Sequence, residues 1–210
     1  MGSIIAENKG GNFAIPESGT FVARCVSMIE IGTITTEIKG IEKRMKKVSI
    51  TWELPTELHV FDPDKGEQPF VVSKEYTLSM NSQSNLRHDL ESWRGKKYEE
   101  AEAEKVDITK LLGQPCQISI IHEPSKKDAS KIYANVSSVT KLMKGTVCPP
   151  QINPAKLLAY DDWNWDVFES LSDYMKNKIR SSEEFQAMQS PGEIRDESDK
   201  TIVKDEDLPF

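Results

Sequence analysis

From Lys47 to Leu54 the chain alternates strictly: Val48, Ile50, Trp52 and Leu54 share one parity, and Lys47, Ser49, Thr51 and Glu53 the other. A period of two sends successive side chains to opposite faces of an extended backbone, so this stretch reads as a strand with one buried face. Such a strand needs paired neighbours at its edges and a cover over its apolar face. Thr20 to Ile31 repeats the pattern, with Phe21, Ala23, Cys25, Ile29 and Ile31 on one parity. Pro69 to Met80 repeats it again through Val72, Lys74, Tyr76 and Leu78. The polar stretch Thr33 to Lys47, with Gly40 as its turn, reads as the loop between the first two strands. Pro55 is expected to end the pairing of the second, and Asp62-Pro63-Asp64-Lys65-Gly66 supplies turn chemistry before the third.

The period then changes. Leu86, Leu90 and Trp93 fall at i, i+4 and i+7, which predicts a helix from Ser84 to Arg94, closed by Gly95. Asp107, a good N-cap, begins a second short helix to Leu112, with Gly113 after it. Cys116 to Ile121 and Lys131 to Leu142 return to strand composition and read as a hairpin. Three strands, a helical insertion and two strands predict a mainly β fold: a five-stranded oligonucleotide/oligosaccharide-binding (OB-fold) barrel with its helix between strands 3 and 4. An immunoglobulin-like sandwich would need about seven strands and no central helix.

The domain expectation follows. Residues 1–18 form a loose arm and residues 19–147 the barrel. Residues 148–189 hold Pro149-Pro150 and Pro154, then Trp163, Trp165, Phe168, Leu171, Tyr174 and Ile179 at helical spacing. They predict short helices packing an apolar face on the barrel or on a partner subunit, which leaves a homo-oligomer open. Residues 190–210 are too polar to fold alone and read as a disordered acidic tail.

Net charge is −7, and its distribution matters more than its sum. Residues 190–210 carry seven acids against three bases, whereas residues 19–147 carry 19 bases against 18 acids. The body is therefore balanced and can present a local basic face. No apolar run approaches the roughly 20 residues of a membrane span, and residues 1–18 lack the pattern of a secretory signal. Cys25, Cys116 and Cys148, widely spaced, and His59, His88 and His122 make no metal-ligand spacing. The thiols read as reduced and structural, as in a cytoplasm. Nucleotide-binding, metalloprotease and acyl-transfer signatures are missing, so no cofactor, metal or catalytic residue is expected. Asp161, Asp162 and Asp166 leave a metal-dependent nuclease as an alternative, although a solvated helix start is the simpler account.

Binding an unpaired nucleic-acid strand needs cations that track phosphates and flat side chains on which bases lie. Lys39, Lys43, Arg44, Lys46 and Lys47 crowd the connection between strands one and two. Arg94, Lys96 and Lys97 form a second cluster, and Lys126, Lys127 and Lys131 a third, which could line the same groove. Lys-rich hairpins also serve simply as solvated edges that discourage aggregation. Trp52 shares the parity of the apolar residues and reads as core. Tyr76 beside Lys74, and Tyr133 near Lys131, sit on mixed faces that suit either base stacking or the rim of a core.

The chain closes on Asp205, Glu206, Asp207, Leu208, Pro209 and Phe210. An apolar side chain and a terminal carboxylate can enter one pocket while basic residues around it take the preceding acids. This ending resembles the C-terminal tip of bacterial single-stranded DNA-binding proteins, an acidic run closed by Ile-Pro-Phe, with Leu208 in place of Ile. The body lacks the N-terminal motifs of those proteins. Val48 to Pro55, Glu67 to Met80 and Leu90 to Lys97 are instead similar to phage and prophage single-stranded DNA-binding proteins. The resemblance implies a non-enzymatic protein that coats single-stranded DNA in the cytoplasm of a bacterial host during replication or recombination, and whose tip recruits replication or recombination proteins. Competition of the acidic tail for the basic groove is the expected link between the two. A phage structural or assembly protein that binds protein only is the alternative.

Overall fold

The computed structural model describes residues 14–38, 40–125 and 128–189. Its strands are β1 (Gly19–Ile38), β2 (Ile41–Asp62), β3 (Gly66–Thr77), β4 (Pro115–Pro124), β5 (Ile132–Thr140) and β6 (Lys156–Leu158). Between β3 and β4 lie α1 (Asn85–Arg94), α2 (Glu100–Ala103) and a 3-10 turn (Ile108–Leu111); α3 (Trp165–Glu169), α4 (Asp173–Arg180) and α5 (Glu183–Gln189) follow β6. The order β3-β2-β1-β4-β5 is antiparallel throughout, and β3 approaches β5 across a seam with no ladder pair among the described residues. The result is a mainly β fold with a nearly closed five-strand antiparallel barrel and a few short helices.

Four local expectations change. Thr33 to Lys47 is not a loop but the two arms of a hairpin, paired from Thr33↔Lys46 to Ile38↔Ile41, because Thr33, Ile34, Thr35 and Thr36 are β-branched and favour extended backbone. Pro55 does not end β2; it lies where the register to β3 shifts between Leu54 and Leu58, a bulge that tolerates the missing N–H. The second insertion helix is a single 3-10 turn, capped by Asp107 accepting from the Thr109 amide at 3.1 Å. The fifth strand stops at Thr140, two residues short of Leu142. Helix α1 forms as its spacing predicts: Ser84 caps its start, accepting from the Arg87 amide at 3.1 Å, and Gly95 closes it in the left-handed conformation.

Inside the barrel, Trp52, Ile50 and Leu54 of β2 pack on Ile118 and Ile120 of β4, and α1 plugs the interior with Leu86, Leu90 and Trp93. Each such aliphatic side chain contributes about 1.5–3 kcal/mol by leaving water. Trp93 lies 6.1 Å from Trp52 and donates its indole N–H to the Pro115 carbonyl at 2.9 Å.

Strand β1 is buried on both faces, and its register shift between Cys25 and Ser27 explains how. Shifts at Cys25/Ser27 and Glu30/Gly32 break its parity. Ala23, Cys25 and Met28 therefore belong to the barrel core, while Ile29 and Ile31 join Leu158, Phe168, Ile179 and Phe185 in a second core beneath the C-terminal helices. Gly32 marks the closest approach of α5. At φ 96° it carries a conformation that side chains resist, and a Cβ there would lie 2.8 Å from the Ser182 Cβ. Gly32→Ala is expected to cost about 2 kcal/mol, read from urea unfolding.

Candidate nucleic-acid interface

Lys39, Lys126, Lys127 and the tip residues Asp205 to Phe210 lie outside the described residues. The rest of the hairpin cluster divides by strand parity. Lys43 is exposed, with no ion pair among the described residues. Arg44 donates from Nε and Nη2 to the Glu183 carboxylate of α5, which raises its pKa, chiefly through the hydrogen bond. Lys46 pairs with Glu30 at 2.6 Å, again raising its pKa, chiefly through the hydrogen bond. Lys47 reaches the Thr77 hydroxyl at 3.0 Å, and partial burial pulls its pKa down. Arg44 is thus tied to α5, Lys46 to β1 and Lys47 to β3.

Of the third cluster only Lys131 lies among the described residues, and it stands at the other end of β5 from the second cluster. Arg94 stacks 4.3 Å above the Tyr98 ring and lies 3.5 Å from Glu102. Lys96 and Lys97 are exposed just past α1, beside Lys141 at the far end of β5. Lys131 stands immediately before the opposite end of that strand. A strand advances about 3.3 Å per residue, so the length of β5 separates the two groups.

Lys74 and Tyr76 leave the candidate face. Tyr76 is 3% exposed, its hydroxyl donates to Asp89 at 2.7 Å, and burial and the Asp89 carboxylate push its pKa up. Lys74 pairs with the same carboxylate at 2.8 Å. A ring enclosed in this way has no open face for a base, and the Lys–Tyr alternation marks the rim of a core. Tyr133 is 53% exposed.

Tyr133 also lines a cleft of about 440 Å³ at the β3/β5 seam, together with Phe61, Phe70, Val72, Ile15 and Pro16. Across the seam from β5, three rings form a cluster. His59 stacks on Phe70 at 5.6 Å, and Phe61 stands edge-on to both, at 4.9 Å from His59 and 5.1 Å from Phe70. Phe61 is 46% exposed. The N-terminal segment bounds the cleft, held by His122, which donates from Nε2 to the Pro16 carbonyl at 2.8 Å. The cations nearest in sequence to Tyr133 and Phe61 are Lys131 and Lys65, both exposed and each within reach of one aspartate. The sequence signal for this site was the apolar run Leu58 to Phe61 before a tight turn, hidden by the expectation that Pro55 ended the strand.

Asp161, Asp162 and Asp166 are exposed, and among the described residues no group of three or more His, Cys, Asp or Glu could hold a metal ion. Cys25 and Cys116 are buried and unpaired, and burial pushes the Cys25 thiol up to about 12. Among the described residues no helix is long and apolar enough to cross a membrane. Compared with family models, curated proteins and solved structures, the chain matches none.

Proposed function

We propose that this protein is a non-catalytic, sequence-independent single-stranded DNA-binding protein of phage or prophage type. It coats exposed strands in the cytoplasm of a bacterial host during replication or recombination, and its C-terminal tip recruits partner proteins. The observation that carries the reading is the pair of solvent-open rings, Phe61 and Tyr133, facing one cleft at an unpaired seam of the barrel. Aromatic faces accept any base, so rings on a rigid β scaffold suit binding without sequence preference. The strand order supports an OB-fold barrel: β1 is central, β5 returns beside β3, and α1 lies between β3 and β4. Exposed Lys43, Lys96 and Lys97 provide cations for phosphates, and the tip's likeness to bacterial single-stranded DNA-binding proteins supports the recruitment role. Its acidity would compete for those cations until DNA displaces it.

Fluorescence anisotropy with labelled oligothymidine and a matching duplex, at low and high salt, tests this reading. Binding to the single strand that weakens as salt rises is the expected result. Binding to neither nucleic acid would overturn it and favour a protein-only assembly role.

A further inference from the structure

We infer that helix α4 is part of the DNA path: Tyr174 and Lys178, together with Lys47, form a second nucleotide contact on the outer face of β2 and β3, where Glu75 holds the place of a phosphate. The inference rests on the single-stranded DNA-binding reading and extends it from the seam to the opposite end of β3.

Helix α4 lies against the outer side of β1 through Ile179, which is fully buried with Ile29 and Ile31. That anchor turns the neighbouring Lys178 toward β3, where it pairs with Glu75. Tyr174, one helical turn earlier, shares a face with Lys178, and the ammonium lies 5.6 Å from its ring centroid. The ring is 68% exposed. A tyrosine left this open adds little to folding, yet it presents a flat face beside a cation.

Lys47 completes the group from β2. Its neighbour across the ladder is Thr77, whose hydroxyl it reaches at 3.0 Å, while Glu75 pairs with Ser49 in the same ladder. Burial lowers the Lys47 pKa; Glu75 acts against that shift, and Lys178 adds to it. Lys178 is the ion-pair partner of Glu75, and Lys47, bonded to the Thr77 hydroxyl, stands two ladder positions away on the same strand face. A backbone phosphate carries the same charge as Glu75 and can take its place on the Lys178 ammonium, with Lys47 on the adjoining strand position and Tyr174 beside it for the attached base.

The test compares Tyr174→Ala, Lys178→Gln and Glu75→Gln with the unaltered full chain, by oligothymidine anisotropy across a salt series and by thermal unfolding. Tyr174→Ala should weaken binding about ten-fold, the effect of losing one stacked base, with an unchanged melting temperature. Lys178→Gln should weaken binding and reduce the salt slope by about 0.7, one phosphate contact on a single strand. Glu75→Gln should strengthen binding several-fold, because it removes the competing carboxylate. If all three variants bind like the unaltered chain, α4 is not in the path, although the protein still binds DNA. Loss of melting temperature in Glu75→Gln with no gain in affinity would make the pair purely structural and overturn the inference. If the unaltered chain binds no oligothymidine, the functional reading itself fails and takes this inference with it.

Discussion

Replacing Phe61 and Tyr133 together by alanine is expected to weaken oligothymidine binding about 100-fold, since each stacked base contributes roughly 1–3 kcal/mol and 1.4 kcal/mol is ten-fold in affinity. Both rings are about half exposed, so their removal deletes contact surface for a ligand and little of either core. Urea unfolding should therefore leave the double variant within about 0.5 kcal/mol of the unaltered chain. The single variants should each lose part of the affinity, because Phe61 extends from the β2 end and Tyr133 from β5, on the two sides of one cleft. A double variant that binds normally would remove the seam from the DNA path.

Glu53→Ala is expected to cost about 3 kcal/mol of folding stability, read as a lower urea midpoint. Glu53 is fully buried, and its carboxylate accepts from the Ile152 amide at 2.9 Å, the Asn153 amide at 2.6 Å and the Asn153 side-chain amide at 2.7 Å. Its cross-strand neighbour Arg24 donates to the Gly113 carbonyl at 2.7 Å, to that of Pro149 at 2.9 Å and to that of Cys148 at 3.3 Å. Together they strap residues 148–153 across the barrel. Alanine would take the acceptor from three part-buried donors, which costs more than the hydrogen bonds contribute net. Because Asn153 also lines the seam cleft, the same variant should bind oligothymidine more weakly even under conditions where it stays folded. A loss below about 1 kcal/mol would mean that the strap finds water or other acceptors at little cost.

The cores of the five barrel strands, α1 with its closing Gly95, the Asp62 to Gly66 turn and the placement of Trp52 in the core were legible because each rests on local spacing or turn chemistry, whereas β6 was not. The double burial of β1 was not. Phe21, Ala23, Cys25, Ile29 and Ile31 share one parity, yet the register shift between Cys25 and Ser27 sends Ile29 and Ile31 to a different core from Ala23 and Cys25. A bulge leaves no periodic trace in such a run. The partners of the hairpin cations were equally hidden, since Arg44 finds Glu183 across 139 positions of chain. Lysines committed to ion pairs and lysines left free look the same in a sequence. At Tyr76 the mixed polar and apolar face was visible, but a core rim and a wet groove share that pattern, and the Asp89 carboxylate decided between them. The seam cleft needed the pairing of β2 beyond Pro55, which only the folded sheet reveals.

Photo-crosslinking tests most directly the claim that the rings at the seam hold bases. Oligothymidine carrying 5-iodouracil, irradiated in complex with the full chain and mapped by mass spectrometry, should attach to Phe61 and Tyr133. Crosslinks confined to residues away from the seam, with both rings unmodified in a saturated complex, would contradict the account.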